Sequence, residues 1–178
     1  MRKLFMIIVA AAGMASACNP PPLAPGGLVP AGTHQSAITA VTGPGRGGVS
    51  VTSKSIPEAT MAVDISIIVA DARPNATYFV QRAPDFPRAL GSDGVCQRAL
   101  GLPPWTEDPP VPAFVTFPLG TGVAVLTTTA TGAGSLSFEY RSPPISAGTL
   151  FDVMFRIVDS ESAPTTELRS GCFTVAVK

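Results

Sequence analysis

Apolar and polar residues alternate with a period of two along four stretches of the chain. In the clearest of them, residues 61–71, every second residue from Met61 to Val69 is apolar, and only Ile68 breaks the alternation. Three further stretches follow the same rule: residues 135–141, 150–159 and 172–178. Because successive side chains of a strand point to opposite faces of a sheet, this pattern predicts four half-buried β-strands.

Weaker strand patterns lie between these stretches. They cover residues 48–53, 77–82, 114–117 and 123–129. Brief turn signals rich in glycine and proline separate most of the strands, and no stretch has a convincing helical period. Seven or eight short strands can bury their apolar faces only by packing as two sheets. The sequence therefore predicts an all-β, two-sheet antiparallel sandwich over residues 48–178.

The spacing of these strands resembles that of immunoglobulin-like and fibronectin-like domains. The resemblance covers residues 48–178 and implies seven to eight antiparallel strands in two sheets, with one long loop. It rests on the strand pattern, since no tryptophan stands at the core position of antibody domains and Cys96 falls in a loop. An antibody-type Cys-Trp-Cys core is therefore not expected.

The long loop spans residues 83–113, which carry no strand pattern. Segments of this length inside a compact domain are either functional or disordered. Its apolar residues favour a packed loop: Phe86, Leu90, Val95, Leu100, Leu102 and Trp105. Residues 94–101 can form one or two helical turns. Trp105 and Phe86 are the candidate ligand-binding residues, and the alternative for each is a plug at the end of the sandwich.

The N-terminus has the pattern of a secretory signal peptide. Arg2 and Lys3 precede an apolar run from Leu4 to Gly13, and small residues follow up to Ala17. This run is about half the length of the ~20 residues that a membrane-spanning helix needs. Residues 1–17 are therefore interpreted as a cleaved signal peptide.

Cys18 follows the predicted cleavage site. Ala15-Ser16-Ala17-Cys18 resembles the lipobox of bacterial lipoproteins, although Ala15 stands where leucine is usual. The resemblance implies that Cys18 carries a lipid that anchors the protein in a membrane, and Asn19 implies sorting to an outer membrane. The alternative is a secreted protein with a spare thiol.

The residues between this anchor and the first predicted strand are rich in proline and glycine. Because proline removes hydrogen-bond donors and stiffens the chain, residues 18–47 are interpreted as a tether. The alternative is an ordinary disordered N-terminus. The predicted organisation is therefore a signal peptide (1–17), a tether (18–47) and a β-sandwich domain (48–178).

Export also bears on the remaining cysteines and on the choice of partners. Disulfides persist outside the cytoplasm, so Cys96 and Cys172 are predicted to pair; the alternative is two buried free thiols. Without Arg2 and Lys3 the 12 basic side chains fall to 10 against 12 acidic ones, a net charge of −2. A chain with this net charge has no strong positive potential to attract nucleic acid, so no nucleic-acid partner is expected.

Few residues in the chain could support catalysis or bind a metal. The one histidine, His34, falls in the predicted tether, so neither a histidine base nor a two-histidine metal site is expected. We predict no metal and no cofactor. A calcium site is a weaker alternative to solvated loop charges, and its candidate ligands are Asp85, Asp93, Glu107 and Asp108.

These observations predict an exported, lipid-anchored protein of the cell envelope that is not an enzyme. Its expected role is that of a structural or protein-interaction module. One alternative is a carbohydrate-binding module that uses Trp105 in the 83–113 loop, because an exposed indole suits sugar rings. A further alternative is a hydrolase that uses two carboxylates. The expected partners are the membrane, through the lipid on Cys18, and a protein or glycan.

Overall fold

The chain is known from a computed structural model that describes residues 32–55, 61–86, 92–103, 105, 113–142 and 145–178. The predicted signal peptide and Cys18 lie outside these ranges. The regular structure within them is almost entirely β-strand, with one short helix, α1 (Gln97–Leu100). The strands are β1 (Thr33–Thr42), β2 (Arg46–Lys54), β3 (Ala62–Ala70), β4 (Thr77–Pro84), β5 (Val115–Thr116), β6 (Pro118–Leu119), β7 (Gly122–Val123), β8 (Val125–Thr127), β9 (Gly134–Arg141), β10 (Leu150–Val158), β11 (Glu167–Ser170) and β12 (Phe173–Ala176).

Most strands belong to one antiparallel sheet that curls back on itself. Its order is β5-β4-β10-β11-β1-β2-β3-β9, and β12 and β8 also pair with β10 and β4, respectively. Strands β2, β3 and β9 form one layer, and β4 and β10 with β11 and β12 form the layer that faces it. Strands β6 and β7 form a separate hairpin. The predicted all-β, antiparallel, sandwich-like architecture is confirmed.

Strand β1 lies in the part of the chain that the sequence assigned to the tether. Residues 33–39 pair with β2, and residues 38–42 pair with β11, so β1 joins the two layers along one edge. Only Ile38 of this strand is buried, which explains why no alternation of apolar residues marks it. The folded domain therefore begins at or before Thr33, not at residue 48.

The core between the layers consists of the inward-facing residues of the alternating strands. Large fully buried members are Ile38, Ile65, Ile67, Tyr78, Val80, Phe117, Leu126, Ile157 and Leu168. The ring of Phe117 lies 5.3 Å from that of Phe138 on β9 and 5.5 Å from that of Phe155 on β10, measured between ring centroids. Phe117 thus packs against both layers, and apolar burial of this kind is the main force that holds them together.

A second, smaller core lies on the outer face of β4 and β10. Ala83, Cys96 and Ala99 are buried there, and Phe114, Met154 and Cys172 pack against them. The predicted disulfide between Cys96 and Cys172 is present, with 5.6 Å between the Cα atoms. It joins the start of α1 to the junction of β11 and β12. The helical turn predicted within residues 94–101 is also present, as α1.

Two buried carboxylates help to hold the described part of the long loop. Val95, Leu100 and Leu102 are exposed, so the prediction that they pack the loop is wrong. The loop instead depends on Asp85 and Asp152, both fully buried. A buried carboxylate that accepts several backbone N–H groups makes strong, charge-assisted hydrogen bonds, and these order the loop together with the small core around Cys96 and Ala99.

The two carboxylates bind different parts of the loop. Asp85 accepts hydrogen bonds from the amides of Gln97 (2.7 Å) and Arg98 (2.9 Å), and so satisfies the first turn of α1. Asp152 on β10 accepts hydrogen bonds from the amides at positions 93 and 94, both at 2.9 Å. The loop is therefore fixed against the outer face of the layer that contains β4 and β10.

Candidate functional site

A partly open cavity of about 270 Å³ lies between the two layers. It is at the end of the sandwich where β3 and β10 begin and where β4 and β9 end. Both layers contribute to its wall, and the side chains that line it include Val63, Phe86, Phe117, Tyr140, Phe151 and Val153. A concave, mostly apolar space with a few polar groups is the usual form of a small-molecule site.

The apolar wall follows directly from the alternation in the sequence. Val63 and Ile65 are inward-facing residues of β3, and Phe151, Val153 and Phe155 are inward-facing residues of β10. At this end of the sandwich the two sets of side chains do not fill the space between the layers. The result is an interior surface that water solvates poorly and that an apolar ligand could cover.

Arg82 is the one charged residue among the described residues that line this cavity. It lies on β4, two and four residues after the buried Val80 and Tyr78, so its side chain enters the space between the layers. Its Nη2 donates a hydrogen bond to the hydroxyl of Tyr140 (2.7 Å). Its Cζ lies 4.3 Å from the ring centroid of Phe117 and 4.4 Å from that of Tyr140.

The guanidinium of Arg82 is incompletely satisfied. Its Nη1 is shielded from solvent and has no hydrogen-bond partner in the described part of the chain. No carboxylate in the described ranges forms an ion pair with it, and the two aromatic rings compensate only partly for its lost hydration. Burial lowers the pKa of Arg82, but an arginine stays protonated at neutral pH. Arg82 therefore contributes a positive charge to the described wall of the cavity.

The two predicted ligand-binding residues have different places. Phe86 lines the cavity and packs edge-on against Phe151, with 6.2 Å between ring centroids. Trp105 is outside the lining; the guanidinium of Arg98 lies 5.2 Å from its ring centroid, and its indole Nε1 is buried without a hydrogen-bond partner in the described ranges. The structure therefore brings Phe86, but not Trp105, to the cavity.

Of the four acids considered as calcium ligands, two lie within the described residues. Asp85 and Asp93 take part in hydrogen bonds of the loop, while Glu107 and Asp108 lie outside the described residues. Across the described ranges no group of three or more histidine, cysteine or acidic residues is placed to hold a metal ion. Calcium binding is therefore not supported by the described acids.

His34 has a different setting from the one predicted. It is half-buried in β1 and pairs with Val51, rather than lying in a solvated linker. Burial, and then the charge of Lys178, lower the pKa of His34, so the imidazole is neutral at pH 7. Its Nε2 has no hydrogen-bond partner among the described residues, and so no contact there makes it a base for a nucleophile.

The sequence contains a signal for Arg82 that the predictions above missed. Tyr78, Val80 and Arg82 are in phase on β4, which places a charged side chain on the same face as two core residues. A charge in phase with core positions is uncommon, because buried arginines need compensating partners. The position could therefore have been singled out from the sequence, although the cavity around it could not.

Comparison with known proteins adds no family to these observations. Neither the protein-family models, nor the curated proteins, nor the solved structures contain a match to this chain. Within the described residues, no helix has both the length and the apolar character needed to cross a bilayer.

Proposed function

We propose that this protein is a binding module of the cell envelope that takes up a small apolar ligand in the cavity between its layers. It is exported, is anchored through a lipid on Cys18 and does not act as an enzyme. The observation that carries the proposal is the apolar cavity of about 270 Å³, lined from both layers. A domain with a purely structural role has no need of such a space, because unfilled volume in a core lowers stability.

The sandwich is proposed to be of the immunoglobulin-like type. In that fold, strands A, B and E pair in one sheet and strands C, F and G pair in the other. The pairing of β2 with β3 and of β3 with β9 follows the order A-B-E. The pairing of β10 with β4, β11 and β12 follows the order C-F-G. On this interpretation, β1 is an additional strand.

The location of the protein rests on its N-terminal sequence. The short apolar run before Ala17 and the cysteine at position 18 support export and lipidation at an outer membrane. A lipid on Cys18 would hold the domain near a membrane, where amphiphilic molecules are abundant. Fractionation of cells that express Cys18→Ser tests the anchor, since continued recovery in the membrane fraction would contradict it.

The glycan and hydrolase alternatives have less support. A sugar platform needs a free aromatic face, whereas Arg98 lies over the ring of Trp105. A hydrolase needs two carboxylates that face a substrate, whereas the buried Asp85 and Asp152 accept hydrogen bonds from the backbone of the loop. Protein interaction stays compatible with apolar-ligand binding, because the outer faces of the layers are not used by the cavity.

A neutral amphiphile tests the proposal. Isothermal titration of the purified chain with 1-octanol is expected to give saturable binding with a negative heat-capacity change, the mark of apolar burial. Val63→Phe, which places a larger ring in the cavity, is expected to abolish this binding. The same variant should raise the urea midpoint of unfolding or leave it unchanged, because the added ring fills existing space.

Ile68→Phe is the matched control for this experiment. Ile68 lies on the same strand as Val63, but its side chain points outward and is 39% exposed. This variant is expected to bind 1-octanol as the unchanged protein does. Val153→Phe on the opposite layer is a second filling variant, should Val63→Phe fold poorly. Equal binding by the filling variants and the control would place the ligand elsewhere and refute the proposal.

A further inference from the structure

We infer that the ligand is an amphiphile with an anionic head group and a short apolar chain, and that Arg82 binds the head group. This inference rests on the proposed binding of an apolar ligand and adds the chemical class of that ligand. It follows from two properties of one space: an apolar wall and, in that wall, a partly buried cation with no ion-pair partner among the described residues.

The positive charge of Arg82 favours an anionic ligand. Buried charges in proteins are almost always paired and hydrogen-bonded, and an exception calls for an explanation. Arg82 has one hydrogen bond within the described ranges, to the hydroxyl of Tyr140, and Nη1 has none. Arg82 also has no ion-pair partner in the described ranges, and an anion in the cavity that it lines would supply the missing negative charge. The planar fork of a guanidinium matches the two oxygens of a carboxylate or a phosphate.

Hydroxyl groups and aromatic rings surround Arg82 in the cavity wall. The Tyr140 hydroxyl lies 2.7 Å from Nη2, and Ser142, two residues further along the chain, also lines the cavity. Hydroxyl groups can donate to an anion without adding charge of their own. The rings of Phe117 and Tyr140 flank the guanidinium and restrict its movement. The cation is therefore held in place before a ligand arrives, which favours binding.

The volume of the cavity limits the length of the ligand's apolar chain. A dry cavity of about 150 Å³ in another protein binds benzene, so 270 Å³ has room for a larger apolar group. This volume suits an apolar chain of about eight carbons. The apolar walls formed by β3 and β10 would cover the chain, while Arg82 and Tyr140 would meet the head group.

The test compares four probes that share an eight-carbon chain and differ in the head group. Octanoate and octyl phosphate carry an anion, 1-octanol is neutral, and octylammonium carries a cation. Titration of the purified chain is expected to show octanoate or octyl phosphate binding about 10- to 100-fold more tightly than 1-octanol. The better of the two anions identifies the head group as carboxylate or phosphate. Octylammonium is expected to bind more weakly than 1-octanol.

Arg82→Met is the decisive variant. It keeps an apolar side chain of similar length and removes the charge, so the affinity for the anion should fall about 10- to 100-fold, to that for 1-octanol. The affinity for 1-octanol itself should change less than about 3-fold, since the apolar walls stay in place. Arg141→Met is the matched control: Arg141 is exposed on β9, next to Tyr140, and pairs with Glu139. It should leave both affinities unchanged.

Tyr140→Phe gives an independent variant if Arg82→Met does not fold. It keeps the ring and removes the hydroxyl that holds Nη2, so only the anion should bind more weakly. Equal affinity for anionic and neutral probes, or an anion preference that survives in Arg82→Met, would overturn the inference while leaving the proposed apolar site intact. A failure of all four probes to bind would refute both.

Discussion

The carboxylate of Asp159 organises the turn that follows β10. Its Oδ1 accepts hydrogen bonds from the amides of Thr165 (2.9 Å) and Thr166 (3.0 Å). Its Oδ2 accepts hydrogen bonds from the Thr165 hydroxyl (2.5 Å) and from Arg73 Nη1 (3.3 Å). Burial by itself would raise the pKa of Asp159, but these hydrogen bonds and the charge of Arg73 lower it from 3.8 to about 2. The ionised form is therefore the one that stabilises the turn.

Replacement of Asp159 by asparagine tests this role. An asparagine side chain would keep an acceptor for the amides but lose the charge, so Asp159→Asn is expected to lower the free energy of unfolding by about 1–3 kcal/mol at pH 7. Because the pKa is lower in the folded state, this stabilisation is complete above about pH 4 and is lost as the pH falls towards 2. Urea unfolding at pH 7, 4 and 2 should show the difference between the two proteins shrinking.

A surface acid provides the control for Asp159→Asn. Asp71 pairs with Arg46, but both side chains are largely exposed, and such pairs contribute little to stability. Asp71→Asn is expected to change the free energy of unfolding by less than about 1 kcal/mol at every pH. A constant difference between Asp159→Asn and the unchanged protein from pH 7 to pH 2 would contradict the assignment.

At the scale of elements, a strand overlaps each of the eight stretches predicted from the sequence pattern. Strand β11 was missed for a different reason than β1. Its buried residues include Glu167 and Ser170, which are polar. Glu167 is buried because the guanidinium groups of Arg156 and Arg169 pair with it, and Arg156 lies on a different strand, β10. The sequence pattern within one strand cannot indicate an ion pair with a residue on another strand.

The candidate site was only partly predictable for a related reason. Alternation predicts which side chains face the interior, and it correctly predicted that Val63 and Phe155 do so. It does not tell how far apart the two layers stand, and the cavity is a consequence of that distance. The length of the long loop and its tryptophan predicted a binding segment there, whereas Phe86, at its start, is the predicted residue that lines the cavity.

The Cys96–Cys172 disulfide is the covalent link between α1 and the sheet, and its removal gives the prediction at this scale. The double variant Cys96→Ala/Cys172→Ala is expected to fold, because the main core does not contain the bridge. It should lose about 2–4 kcal/mol of stability, since the bridge joins residues 76 positions apart and so closes a long loop in the unfolded chain. Urea unfolding of the oxidised protein and the variant measures the loss.

Hydrogen exchange should locate the effect of that variant. The amides of residues 92–103 are expected to exchange faster, because the bridge no longer joins α1 to the sheet. Those of β3 and β9 should keep their protection, because these strands pair in the other layer. The unchanged protein treated with a reductant is the control and should match the variant. Equal stability of the oxidised protein and the variant would show that the bridge does not stabilise the native fold.

For the molecule as a whole, the two layers are connected along both edges of the sandwich. Strand β1 bridges β2 and β11 at one edge. At the other edge the chain passes from β8 to β9 through a tight turn, in which the Thr129 amide donates to the carbonyl of Ala133 (2.7 Å). These connections hold the layers at a set distance, and the cavity at the open end depends on that distance. Loss of either edge should therefore affect both stability and ligand binding.

Removal of β1 is expected to weaken both the fold and ligand binding. A chain that begins at Pro44 loses the buried Ile38 and the partner of both β2 and β11, so it should unfold at a lower urea concentration and bind 1-octanol more weakly. The newly exposed strand edges should also make it self-associate, which sedimentation velocity can measure. A chain that begins at Gly32 is the control and should stay monomeric. If both chains were monomeric and equally stable, β1 would be part of the tether after all, and the domain would be the smaller sandwich that alternation alone predicts.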